Sequence, residues 1–174
     1  MNTIIRKVRS EEHDLLREFL YHAIYLPQGV EPPSRSVIDL PELQVYLADF
    51  GTQPGDHCIV AEAEGSVVGA AWSRIMEDYG HIDSSTPSLA ISLLPDYRGL
   101  GIGTRLLKGL LLLLREHGYL RASLSVQKEN PAPLPAGGIS DRGRKGYGIF
   151  DALGCCPSDA TGEYGYGSRE TAGK

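Results

Sequence analysis

Positive charge is in short supply in this chain: 17 lysines and arginines face 22 acidic residues, for a net charge of −5. A nucleic-acid partner calls for a basic face, so none is expected. An anionic small ligand stays open, because a helix N-terminus binds anions through backbone N–H groups whatever the net charge. No apolar run approaches the roughly 20 residues of a bilayer span, so no membrane partner is expected. The opening MNTIIRKVRSEEH has no apolar stretch after its basic residues, unlike a secretory leader. Cysteine is sparse. Cys58 stands alone, and Cys155 and Cys156 are adjacent rather than in C-x-x-C spacing, so no metal site is read. A cytoplasmic location in a reducing compartment is the expectation.

What is present suits one folded domain, since 174 residues can bury a real core. Ile4, Ile5 and Val8 suggest a short strand. Leu15, Leu16, Phe19, Leu20 and Ala23 recur at helical spacing behind an N-cap at Ser10, which predicts a helix over 11–24. A proline-rich loop, 27–36, precedes a second helix that starts at Pro41 and stops at Gly51. Strands are predicted at 57–63 and 66–76, joined by a tight turn at Glu64-Gly65. An uncharged strand at 88–94, a leucine-rich helix from Thr104 to His117 and a strand at 119–126 follow. The last three form a crossover unit, so their two strands should be parallel. The fold expected is α/β (α+β), a mixed sheet flanked by helices.

The informative stretch is Pro95-Asp96-Tyr97-Arg98-Gly99-Leu100-Gly101-Ile102-Gly103-Thr104. Its three glycines let the backbone approach a ligand, and they stand where unpaired N–H groups and the positive end of a helix dipole converge. That is a site for a phosphate or pyrophosphate. A dinucleotide fold wants G-x-G-x-x-G, but position 106 is leucine; a Walker A loop wants G-K-[ST], which is missing. Arg98, Gly101 and Gly103 match instead the pattern R/Q-x-x-G-x-G/A after a strand.

Residues 95–103 resemble the glycine block of the GNAT superfamily of acetyltransferases, and the resemblance extends over 1–130. It implies a mostly antiparallel sheet with a splayed parallel strand pair around the cofactor, and acetyl-CoA as co-substrate. By that resemblance Ile91, Ser92 and Leu93 run alongside the pantetheine arm, with Leu93 N–H near the thioester oxygen as an oxyanion donor. Arg98, Gly99, Leu100, Gly101, Ile102, Gly103 and Thr104 surround the pyrophosphate, and Asn130 reaches the cofactor. The acceptor implied is a primary amine of a small molecule, protein or peptide. Some members place a glutamate base where this chain has Ser125 and a tyrosine acid where it has Gly137. The remaining acid–base candidates are Glu77, Asp78 and His81, in the loop between two central strands. Trp72 and Arg74 share one strand face and are candidates to line the acceptor pocket, with Glu31 in the proline-rich loop as an amine-binding carboxylate. An acyl-CoA-binding module without turnover is the alternative that the empty positions 125 and 137 favour. A nucleotide-dependent oxidoreductase is disfavoured by the glycine spacing.

After Asn130 the character changes. Residues 131–174 are glycine-rich, with no helix or strand period, and are expected as an irregular or disordered tail. Two readings stand. In one, an insertion, Phe150-Asp151-Ala152-Leu153-Gly154-Cys155 takes the place of the family's Y-x-x-L-G-F. In the other the reading frame has slipped: one base later, codons for Pro133 to Leu153 can encode L-Y-R-R-A-G-F and a final strand. A slipped frame would remove the last two strands, bare a sheet edge and weaken stability and activity. An exposed edge would also allow a homodimer.

Overall fold

The computed structural model describes residues 2–24, 26, 29–78, 81–125, 139–141 and 147–151. Among the described residues, seven strands form one sheet: β1 (Thr3–Lys7), β2 (His57–Ala63), β3 (Ser66–Arg74), β4 (Ser88–Leu93), β5 (Arg121–Ser125), β6 (Ile139–Asp141) and β7 (Tyr147–Asp151). Their order is β1-β2-β3-β4-β5-β7-β6. Every pairing is antiparallel except β4 with β5. The Glu64-Gly65 turn has positive φ at both residues, 53° and 78°, which matches the twist of the hairpin it closes. The architecture is the mixed, mostly antiparallel sheet flanked by helices expected above.

Each face of the sheet carries helix. On one lies α3 (Ile102–Glu116), whose Ile102, Leu106, Leu107, Leu110, Leu113 and Leu114 pack against Ile59, Ala61, Leu89, Ala122 and Leu124. Burying one such leucine contributes about 1.5–3 kcal/mol. On the other, α1 (Leu15–Ala23) sets Leu16, Phe19 and Leu20 against Cys58, Val60, Ala70, Trp72 and Ala90. With both faces covered, β2, β3 and β4 are almost free of charge, as buried strands must be. Arg105 Nη2 donates to the Thr3 carbonyl at 2.8 Å, which ties α3 to β1.

Three predicted elements differ. The helix over 11–24 splits into a 3-10 turn, Ser10–Glu12, and α1, because the Glu12 carboxylate turns back to accept from Arg6 and from the Arg9 N–H. The second helix, α2 (Pro41–Gln44), is short: Arg74 takes the Val45 and Ala48 carbonyls, which a continuing helix would spend on its own N–H groups. Within 131–174, where no strand period is readable, β7 pairs with β5 and β6 with β7. Backbone pairing with an available edge overrides weak local preference there. β5 is therefore covered, and the sheet ends at β1 and β6. Phe150 and Asp151, the first two residues of the insertion reading's stretch, lie on β7. Asn130, Gly137, Cys155 and Cys156 fall outside the described residues.

Candidate active site

β4 pairs with β3 along its whole length, Ser88↔Arg74 to Leu93↔Gly69. Among the described residues, its other edge pairs with β5 at two positions, Ser88↔Ser123 and Leu89↔Leu124. Leu94 N–H donates to the Val68 carbonyl at 3.0 Å, so the even-numbered amides of β4 face β3. By strand alternation the Ile91 and Leu93 amides face away from β3, toward the β5 side. A 3-10 turn, Pro95–Tyr97, carries the chain to Gly99 and Gly101, at φ of 73° and 75°, and Gly101 caps α3. Left-handed backbone of this kind costs an L-residue about 1–2 kcal/mol, which is why glycine stands there.

Gly99, Leu100, Gly101 and Thr104 are exposed, while Ile102 is buried in the core and fixes the start of the helix. Among the described residues no acceptor meets the N–H groups of Gly99 to Thr104. A Cβ at Gly99 or Gly101 would meet no atom within 4 Å. The turn is thus an open rim of donors at the positive end of a 15-residue helix, the arrangement an anion needs. Arg98 braces it: Nε donates to the Leu93 carbonyl and Nη2 to the His22 carbonyl, both at 3.0 Å. The Ser92 hydroxyl is buried and has no hydrogen-bond partner among the described residues.

The acceptor-side candidates scatter. Trp72 is fully buried among α1 residues, and its indole N–H also lacks a partner among the described residues. Arg74 is buried too. Its guanidinium holds Asp56 by two contacts of 2.7 and 2.8 Å and the two carbonyls named above, so it anchors the segment 45–56. Glu31 and Glu77 are exposed, and an exposed His81 has Nδ1 against the Met76 carbonyl at 2.9 Å. Asp78 is hydrogen-bonded to β4. Its Oδ1 accepts from Ser88 Oγ at 2.7 Å and its Oδ2 from Tyr46 OH at 3.0 Å; Ser88 Oγ lies 3.2 Å from Ser123 Oγ. Tyr46, Ser88 and Ser123 escape sequence reasoning, because nothing in their spacing links them.

Among the described residues no cluster of three or more histidine, cysteine, aspartate or glutamate side chains is placed to hold a metal, and no helix is long and apolar enough to cross a membrane.

Comparison with known proteins agrees with this geometry. No curated protein matches the sequence. Solved structures do. An N-acetyltransferase from Staphylococcus aureus Mu50 superimposes with a TM-score of 0.58 at 16% identity, over 87% of this chain and 99% of its own. A GNAT family acetyltransferase from Brucella melitensis in complex with acetyl-CoA gives 0.56 at 21% identity, over 95% and 96%. A phosphinothricin acetyltransferase from Sinorhizobium meliloti, also in complex with acetyl-CoA, gives 0.57 at 18% identity, over 94% and 96%. At these identities the likeness is one of fold. The model of the acetyltransferase (GNAT) family matches residues 19–134, which begin within α1 and take in the glycine turn and β5, and the chain belongs to that family.

Proposed function

We propose that this protein is an acetyl-CoA-dependent N-acetyltransferase acting on a primary amine of a small molecule or a peptide. The observation that carries the reading is the exposed glycine turn between β4 and α3, whose amides meet no acceptor among the described residues. The residues present suit coenzyme A. The turn supplies donors and empty space for a diphosphate, and Ile91 and Leu93 supply backbone groups on the β5 side of β4 for the amide-bearing pantetheine arm. The unpaired Ser92 hydroxyl is a further polar group on the same strand.

Acetyl-CoA supplies an activated acetyl thioester. In this reading the turn holds the diphosphate, β4 aligns the arm, and Leu93 N–H donates to the thioester oxygen as negative charge develops on it. One donor of this type is worth about 10²–10³ in rate. The second reading, an acyl-CoA-binding module without turnover, draws on Ser125 and Gly137, which stand where the family resemblance leads one to expect a base and an acid.

Calorimetric titration with acetyl-CoA, on wild type and Gly101→Glu, tests the binding claim. The substitution puts a carboxylate and a left-handed strain into the phosphate rim, and at least a hundredfold loss of affinity is expected. Equal affinities would remove the turn from the site. Release of free thiol with a panel of amines then separates transfer from binding alone.

A further inference from the structure

We propose that Arg98 is a positioning residue, which joins the end of β4 to the end of α1 and so fixes the direction of the Leu93 N–H, and that it is not a ligand of the diphosphate; this rests on the acetyl-transfer reading. The guanidinium reaches back from the glycine turn to two carbonyls, that of Leu93 through Nε and that of His22 through Nη2, both at 3.0 Å. Nε and Nη2 share one edge of the planar fork. That is an edge with which an arginine grips a phosphate by two parallel bonds, and here both of its atoms donate to protein.

The Leu93 end of the bridge bears on the candidate oxyanion donor. The peptide between Leu93 and Leu94 is held on both sides. Its carbonyl accepts from Arg98, and its N–H, that of Leu94, donates to the Val68 carbonyl at 3.0 Å. A trans peptide is planar, so two bonds in opposite directions fix its plane, and with it the course of the strand at Leu93. The Leu93 side chain is confined as well. A Cβ on Gly69 would strike its Cδ2, and a Cβ on Gly103 would lie 3.3 Å from its Cδ1, so two glycines make its room. At the other end of the bridge, His22 stands in the last turn of α1. The last four carbonyls of a helix have no partner within it, and a cation suits that negative pole. Arg98 therefore ties the turn to a strand end five residues back and to a helix end 76 residues back. The labour divides accordingly. Backbone amides of the turn take the diphosphate, and Arg98 keeps the donor strand in place. An amide aimed at a developing oxyanion contributes only while its direction is held. Loss of the bridge thus acts on kcat more than on cofactor affinity.

The test uses the full chain, an amine that the thiol-release panel identifies, and two acetyl donors: acetyl-CoA, and S-acetyl-N-acetylcysteamine, a short thioester without the diphosphate. Arg98→Met and Arg98→Lys should each lower kcat/KM about tenfold or more with both donors, part of the roughly 10²–10³ that one such amide is worth. The calorimetric Kd for coenzyme A should stay close to that of wild type. Lysine keeps the charge without the fork, so it should not rescue. In the unliganded variants the Leu94 amide should exchange hydrogen faster than in wild type, a readout independent of turnover. A loss confined to acetyl-CoA, carried by Kd and rescued by lysine, would make Arg98 a diphosphate ligand and overturn the proposal. Wild-type rates with both donors, or unchanged exchange at Leu94, would overturn it too. So would a lowered urea midpoint with kcat intact, which would leave Arg98 a structural tie only. Wild type that binds no acetyl-CoA, or acetylates no amine, defeats the acetyl-transfer reading and this role with it. Wild type that binds and turns over beside equally active variants overturns the role alone.

Discussion

Arg74 shows how a residue can be placed correctly on a strand face and still mean something different from what its position suggests. Its alternation with Trp72 is real, but the face they share is covered by α1 and the segment 45–56 rather than open to a substrate. Its partner Asp56 has a fully buried side chain. Burial alone would push that carboxyl up; the Arg74 guanidinium, then the N–H groups of Gln53 and Gly51, outweigh it and hold the carboxyl below the ordinary range. Removing one member of a buried pair strands the other charge. Arg74→Met should therefore cost about 3–5 kcal/mol in urea unfolding. The double variant Arg74→Met, Asp56→Leu should recover much of that loss. A single variant as stable as wild type would show that the pair is not desolvated.

Among the elements, α3 carries the most information per residue, and its one interior glycine outside the N-terminal turn has a packing reason. A Cβ at Gly109 would lie 2.8 Å from Ile59 Cδ1 and 3.6 Å from Ile5 Cγ2, so the helix rests unusually close on β1 and β2. Gly109→Leu should overpack this contact and cost about 1–3 kcal/mol. Gly109→Ala should come out near neutral, because about 1 kcal/mol of helix propensity offsets the displacement of one terminal methyl. Urea midpoints of both variants check the pair; a stabilised Gly109→Leu would mean the helix stands further off. α3, β2, β3 and β4 are legible in the sequence because local pattern and tertiary demand agree: leucines at helical spacing, charge-free strands and a Glu64-Gly65 turn. The end of α2 is not legible, since Arg74, which stops it, lies 26 residues beyond Ala48. β6 and β7 are not legible either, because the pairing of β7 with β5 and of β6 with β7 decides them and their own composition does not.

At the scale of the whole molecule, the same contrast divides two groups of residues. The proposed cofactor stretch is readable because residues 91–104 are contiguous and what they offer is backbone chemistry. Tyr46, Asp78, Ser88 and Ser123 come from four places, and only the fold brings them together. Far from both, at the other end of α3, His57 lines a cavity of about 250 Å³ with Lys7, His13, Asp56, Cys58 and His117. Burial, then the His117 ring at 4.2 Å between centroids and Lys7, hold the His57 imidazole below its ordinary pKa; Asp56 and the Pro54 carbonyl oppose this only in part. The Cys58 thiol is pushed up by burial and stays neutral. The unfolded chain therefore binds more protons at His57 than the native chain does, and stability must fall as pH drops below about 6.5. A second loss belongs to the carboxylates. Hydrogen bonding to Arg6 holds Glu12 down to about 2, so its contribution is present above the unfolded value of about 4.3 and disappears as pH falls toward 2. The melting temperature should stay level above pH 7.5, decline as pH falls below about 6.5, and decline again below about 4.5. His57→Gln should remove the first decline and keep the second. A wild-type melting temperature that does not change from pH 7.5 to 5, or a variant with the same first decline, would show that the histidine is free to protonate in the folded protein.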